Sequence, residues 1–257
     1  MLRLIPIAVF LAVVTLGATS PTFAPAPMPA GPEGELIAYG KQIIQETQKH
    51  AGAYAVTAAM TCEACHLAAG TKAHGASLVG VYAKFPQWNQ RSGRFIALQD
   101  RLAECFLYSM NGRPPAYDSR EMIALVAYIA YLSRGTPVGT GAPDQGFIPV
   151  SAAAPPDVAR GQTVYGAKCS ACHAADGSGG GSFPPLWGPK SFNGGAGMHR
   201  PETMAAFVRY NMPYGSPPNT LTAQEAVDVS AFVLSHPRPT FDATRPVEFP
   251  AQPASFF

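Results

Sequence analysis

Cys62-Glu63-Ala64-Cys65-His66 and Cys169-Ser170-Ala171-Cys172-His173 are one five-residue pattern written twice in the same chain. The two thiols of each copy are about one helical turn apart. That spacing lets them add to the two vinyl groups of a single porphyrin, and the next residue is a His whose ring nitrogen can reach the iron. A lone Cys-x-x-Cys-His is also compatible with a thiol redox site or zinc. Two copies with the His are not, because zinc wants four ligands close together and these lie more than a hundred residues apart. The sequence therefore predicts two covalently bound haem c groups. Cys62, Cys65, Cys169 and Cys172 are the attachment residues, and His66 and His173 the proximal iron ligands.

The flanks of the two motifs match. Before the second, Asp157 opens an amphipathic segment running to Tyr165; before the first, Gly34 to Ile44 is apolar at helical spacing. After the first, Ser119 and Glu121 open an apolar run from Met122 to Leu132. After the second, Thr222 and Glu225 make a capping-box pattern and a run follows to Leu234, stopping before Pro237. Helix, haem motif, long Gly/Pro loop, helix is the outline of a small cytochrome c domain. The predicted fold is all-α: two tandem cytochrome c-type domains, each with one covalently bound haem. The limits read as residues 1–24 for a signal peptide, 25–140 for the N-terminal domain, 141–156 for a linker, 157–240 for the C-terminal domain and 241–257 for a tail. The first domain carries an insertion from Gln45 to Thr61 that includes His50, with no readable function. His50, His74 and His199 are expected to be surface or packed residues.

Composition agrees. Gly and Pro number 25 and 26 of 257 residues, one in five, which suits a loop-rich globular chain. Net charge is only +2, so no nucleic-acid footprint stands out. Arg3, the apolar run from Leu4 to Leu16 and the small residues up to Ala24 have the layout of a secretory signal, too short to span a bilayer comfortably. The expected location is the periplasm, with no stable membrane insertion of the mature chain.

What stands opposite each proximal His decides the chemistry. In the second domain Met212-Pro213 lies in the loop before the last helix, the usual distal-ligand pattern of small c-type cytochromes, and Met212 is 39 residues after His173. The same count from His66 arrives at Cys105, the fifth cysteine and the one outside both motifs. Met110 competes for that role, and counting alone leaves both open. A thiolate ligand stabilises ferric iron and is a nucleophile toward sulfur. Arg91, Arg94, Arg101 and Arg113 surround Cys105 in sequence, and Arg forks suit oxyanions. If Cys105 begins a helix-like turn, Arg101 and Ser109 lie four residues either side of it on one face.

From about Gly34 to Pro239 the chain resembles the dihaem thiosulfate dehydrogenase family. In the first domain the resemblance rests on Thr61 to Thr71, Val79-Gly80-Val81-Tyr82, Phe85-Pro86-Gln87, Arg91-Ser92-Gly93-Arg94, Arg101 to Cys105 and Ser109-Met110-Asn111-Gly112. In the second it rests on Phe183 to Pro189, Ser191-Phe192-Asn193, Gly195 to Met198, Asn211-Met212-Pro213 and His236-Pro237-Arg238-Pro239. It implies that Cys105 is the distal ligand of the active-site haem and takes part in catalysis. It also implies Arg91, Arg101 and Ser109 as substrate-pocket residues, and Met212 as distal ligand of the electron-transfer haem. The implied substrates are thiosulfate and tetrathionate, and the implied acceptor a periplasmic c-type cytochrome. Two positions depart from the family: Tyr108 stands where a basic residue is usual, and Asn211 where some relatives carry a Lys able to exchange with Met. The rival readings are a plain dihaem electron carrier, a dihaem peroxidase, and a sulfur-oxidation cytochrome working with a carrier protein.

Overall fold

The computed structural model describes Phe23, residues 25–54 and residues 57–242. The signal reading at residues 1–24, Phe23 aside, and the tail beyond Asp242 lie outside the described residues. Among the described residues no helix is long and apolar enough to cross a membrane.

Two helix pairs frame the molecule. α1 (Pro32–Gln45) starts with Pro in its first turn and Glu33 and Glu35 against the positive helix end. Its buried stripe, Ile37, Gly40, Ile43 and Ile44, crosses α4 (Arg120–Leu132). α4 is capped by Ser119, whose hydroxyl accepts from the Met122 N–H. In the second half α5 (Val158–Lys168), capped by Asp157, crosses α8 (Ala223–Leu234), which opens with the Thr222/Glu225 capping box. Both crossings turn on a glycine. A Cβ on Gly40 would lie 2.0 Å from the Ala124 carbonyl oxygen and 2.8 Å from Tyr128 Cβ; one on Gly161 would lie 2.0 Å from the Asp228 oxygen and 2.9 Å from Phe232 Cβ. The same contact in the same place of two sequence-distant pairs makes the chain a duplicated unit.

Several elements stand outside the outline read from the sequence. Strands β1 (Gln87–Asn89) and β2 (Arg94–Ile96) form a small antiparallel hairpin. The insertion holds a short helix, α2 (Thr47–Ala51). There Thr47, fully buried, accepts from the Cys62 N–H at 2.9 Å, so the insertion anchors the first attachment cysteine. His50 pairs with Glu46 at 3.2 Å, in keeping with a packed surface His. Helix α7 (Pro201–Asn211) has Pro at its start and buries Met204, Ala205, Ala206 and Phe207. Between the hairpin and α4 come α3 (Leu98–Glu104) and a single wide turn, Cys105–Ser109. A one-turn helix, α6 (Ser170–His173), carries the second motif.

The two halves are packed together rather than strung on a line. Met60 and Met110 of the first share an apolar cluster with Phe192, Ala196 and Met204 of the second. Asn193 ties the seam: its N–H donates to the Tyr108 carbonyl at 3.1 Å, and its side-chain amide to the Leu107 carbonyl at 2.8 Å. The segment between the halves is not slack. Asp144 and Gly146 accept from the backbone N–H and ring Nδ1 of His74, and Gln145 donates to the Val79 carbonyl.

Candidate functional site

Each motif His is oriented by a carbonyl. His66 Nδ1 lies 2.6 Å from the Ala76 oxygen, and His173 Nδ1 lies 3.0 Å from the Pro184 oxygen. A ring that donates through Nδ1 carries its lone pair on Nε2, which is the arrangement of a metal-ligating His. Burial holds both imidazoles below their ordinary pKa, against the opposing carbonyl bonds, and so favours the neutral, ligating form. None of the five cysteines is joined in a disulfide, so both Cys-x-x-Cys pairs are available for thioether attachment.

A cavity of about 330 Å³ opens beside the first motif. Cys62, Cys65 and His66 line one part of it, and Ile44, Leu78, Phe106, Leu125 and Ile129 give it apolar walls. Gln145 also lines it, and its Oε1 is buried with no partner among the described residues. Two cysteines outside any disulfide, an imidazole with an available Nε2, apolar walls and an orphaned polar atom together fit a haem attached through Cys62 and Cys65. At the second motif Cys169, Cys172 and His173 repeat the donor set, against an aromatic wall of Tyr165, Trp187 and Phe232.

Arg101, Cys105, Ser109 and Met110 line the first cavity too. The reason is local. α3 ends at Glu104, and the next turn is wide, with the Met110 N–H donating to the Cys105 carbonyl at 3.0 Å. Such wide turns carry more than four residues each and recur at functional sites. This one keeps Cys105 and Ser109 on the wall that Arg101 approaches from the preceding turn. Burial pushes the Cys105 thiol up to about 12; Arg101 and Arg91 pull the other way, while Cys62 and Glu104 add to the rise. The two guanidinium groups alone do not hold this sulfur as a thiolate.

The arginines are placed differently from each other. Arg101 Nη1 meets Glu104 Oε2 at 2.6 Å, and Glu104 is buried and accepts from Asn89 Nδ2 at 2.8 Å. Part of the Arg101 charge is therefore met by a carboxylate that the sequence reading passed over, although it stands three residues away. Arg91 is not among the cavity-lining residues. Its Nη2 donates to the Gly195 carbonyl of the other half at 2.8 Å, and its guanidinium sits 4.0 Å from the Tyr108 ring centroid. Arg94 is engaged by Asp100 at 3.1 Å. Met212, half-buried, follows the last residue of α7, its N–H on the Val208 carbonyl at 2.9 Å.

Residues 49–138 match the family described as SoxA/TsdA, cytochrome c domain, and residues 158–237 match Cytochrome c. The chain is 42% identical to a thiosulfate dehydrogenase of Allochromatium vinosum over 228 residues, covering 85% of this chain and 84% of that one. It is 42% identical to a thiosulfate dehydrogenase of Stutzerimonas stutzeri, covering 82% and 70%. Among solved structures it is similar to the thiosulfate dehydrogenase TsdBA of Marichromatium purpuratum, in its as-isolated form, with a TM-score of 0.79 and 35% identity. That match covers 84% of this chain and half of the longer one. The fold is two cytochrome c domains in tandem, and the two motifs carry two c-type haems. With relatives this similar along most of both chains, the protein belongs to the thiosulfate dehydrogenase family.

Proposed function

We propose that this chain joins two thiosulfate dianions through their outer sulfurs, giving tetrathionate and two electrons. The observation that carries the reading is the Cys105 thiol, outside both attachment motifs, on the wall of the cavity that Cys62, Cys65 and His66 also line. Thiosulfate dehydrogenase relatives at 42% identity support it. Bound haem supplies two one-electron acceptors and, at the first site, the metal charge that favours the Cys105 thiolate.

The residues then divide the work. The Cys105 thiolate bonds to the outer sulfur of one thiosulfate with loss of two electrons, leaving that sulfur in a disulfide-like link with one negative charge. The outer sulfur of a second thiosulfate attacks the held sulfur. The link to Cys105 breaks, tetrathionate leaves, and the thiolate is restored. Charge balances: two dianions go in, one dianion and two electrons come out. Arg101 and Arg91 offset the repulsion between the anions, and the Ser109 hydroxyl donates to a sulfonate oxygen. The reverse reaction uses the same groups, with direction set by the haem potentials.

In this reading His66 and, until its sulfur takes up thiosulfate, Cys105 would hold the first iron, and His173 and Met212 the second. Electrons leave the second domain for a c-type cytochrome acceptor. The chain works in the periplasm after loss of residues 1–24, with domains at 25–140 and 157–240 joined by 141–156. A second reading is supported by Met110, which lines the same cavity and is 3% exposed. As the first distal ligand it would make the chain an electron carrier. Purified dihaem protein, thiosulfate and ferricyanide, with no other protein, separate the two. Tetrathionate formed at one mole per two of ferricyanide reduced supports the enzyme, and none formed supports the carrier.

A further inference from the structure

The loop from His74 to Ala76 touches the ligand segments of both domains. On one side the Ala76 carbonyl accepts from His66 Nδ1 at 2.6 Å. On the other the His74 carbonyl accepts from Asn211 Nδ2 at 3.0 Å, across 137 positions of chain. Asn211 immediately precedes Met212.

Asn211 is built into this place. It is 2% exposed, and its amide nitrogen also donates to the Phe207 carbonyl one turn back in α7, at 3.0 Å. Its Oδ1 is buried without a partner among the described residues, 3.3 Å from where a Cβ on Gly75 would stand. A buried primary amide is costly unless its donors are used. Here both serve fixed carbonyls, one in its own helix and one in the other domain. The far end of the link is also fixed. The His74 N–H donates to the Asp144 carbonyl at 3.0 Å, Nδ1 meets the Gly146 carbonyl at 2.8 Å, and the ring stands edge-on to Tyr210 with centroids 4.8 Å apart. The Leu67 N–H, next to His66, donates to the Gly75 carbonyl at 3.1 Å.

We propose that Asn211 is a positioning residue that fastens the Met212 segment to the His74–Ala76 loop, so that the second iron's distal ligand is steadied by the first domain. The proposal rests on the reading of Met212 as that ligand. Loosening the fastening reaches Met212 through a single peptide unit. A thioether ligand favours ferrous iron, so a weaker hold lowers the second haem's potential. A tenfold loss of that preference corresponds to about 59 mV for one electron.

The test uses the full-length dihaem protein and four forms: parent, Met212→Ala, Asn211→Leu and His74→Ala. The readouts are the two potentials by spectroelectrochemistry and the weak long-wavelength absorption band of thioether-ligated ferric haem. Parent shows the band and Met212→Ala loses it. Asn211→Leu keeps both haems, lowers the second potential by an amount matching about a tenfold loss, weakens the band and leaves the first potential in place. His74→Ala, which keeps the carbonyl but frees its support, shifts the second potential in the same direction by less, and carries the test should Asn211→Leu not accumulate. A parent without the band, or a Met212→Ala protein that retains it, overturns the ligand reading and the proposal with it. A parent and Met212→Ala that behave as stated, beside Asn211→Leu and His74→Ala proteins with unshifted second potential and band, overturn the proposal alone.

Discussion

A Cβ on Gly161 would stand 2.0 Å from the Asp228 carbonyl oxygen, closer than any two such atoms can come. The backbones of α5 and α8 meet there with only hydrogen between them. Gly161→Ala must push the helices apart and disturb the Tyr165, Trp187 and Phe232 packing behind them. Overpacking of this kind costs about 1–3 kcal/mol or more. Gly40→Ala, against the Ala124 carbonyl, does the same in the first domain. Each variant should melt several degrees below the parent in a calorimeter, and both should leave the motif cysteines able to take haem.

The same crossing carries a pH dependence. Asp228 is buried, and its carboxylate accepts from Arg160 at 2.7 Å, from the Asp157 N–H at 2.8 Å and from Gln224 at 3.0 Å. The hydrogen bond from Arg160 comes first among the causes that hold its pKa below the ordinary Asp value. A depressed folded pKa gives stability that is complete above the unfolded value near 4 and is lost as pH falls through the folded one. Asp228→Asn should cost about 2 kcal/mol at neutral pH, discounted because Arg160 is half exposed, and should flatten the stability profile below about pH 4. Urea midpoints at several pH values check both parts.

Arg101 shares its charge with Glu104. Arg101→Gln should lower kcat/KM for thiosulfate by about 10- to 100-fold, the worth of one charge-assisted hydrogen bond to an anion. Glu104→Gln keeps the size and the bond to Asn89 but removes the competing carboxylate. It should lower the KM by about threefold at low salt, and the gain should fade as salt screens the site. Steady-state kinetics at two ionic strengths read both effects.

Arg91 lies over Tyr108 and is held by the Gly195 carbonyl. Tyr108→Leu removes the ring face and should raise the KM for thiosulfate severalfold with kcat retained, whereas Tyr108→Phe should behave as the parent. Equal loss in both variants would show that the hydroxyl, not the ring face, matters.

Local chemistry was legible in the sequence, and long-range contact was not. The Cys-x-x-Cys-His spacing names its cofactor because two thiols and an imidazole must meet one porphyrin. Counting 39 residues from each His reached Met212 and Cys105, and Cys105 does line the first cavity. The cap at Thr222 was readable because its partner Glu225 is three residues on, and Ser119 and Asp157, legible as the residues that open their runs, cap α4 and α5. The β1–β2 hairpin escaped because its strands are three residues each, too short for alternation to show. Helix α7 carries a local signal in Pro201 and Glu202, a proline and an acid in its first turn. The Arg91–Gly195 and Asn211–His74 bonds join residues more than a hundred positions apart, and no local pattern announces such pairs.

The account turns on the Cys105 sulfur. The most direct measurement is tetrathionate formation from thiosulfate by a Cys105→Ala protein shown by absorbance to carry both haems, beside a Met110→Ala control. The account predicts that Cys105→Ala loses turnover by about a thousandfold or more while Met110→Ala keeps it. Full turnover in Cys105→Ala, with activity lost instead in Met110→Ala, would contradict it.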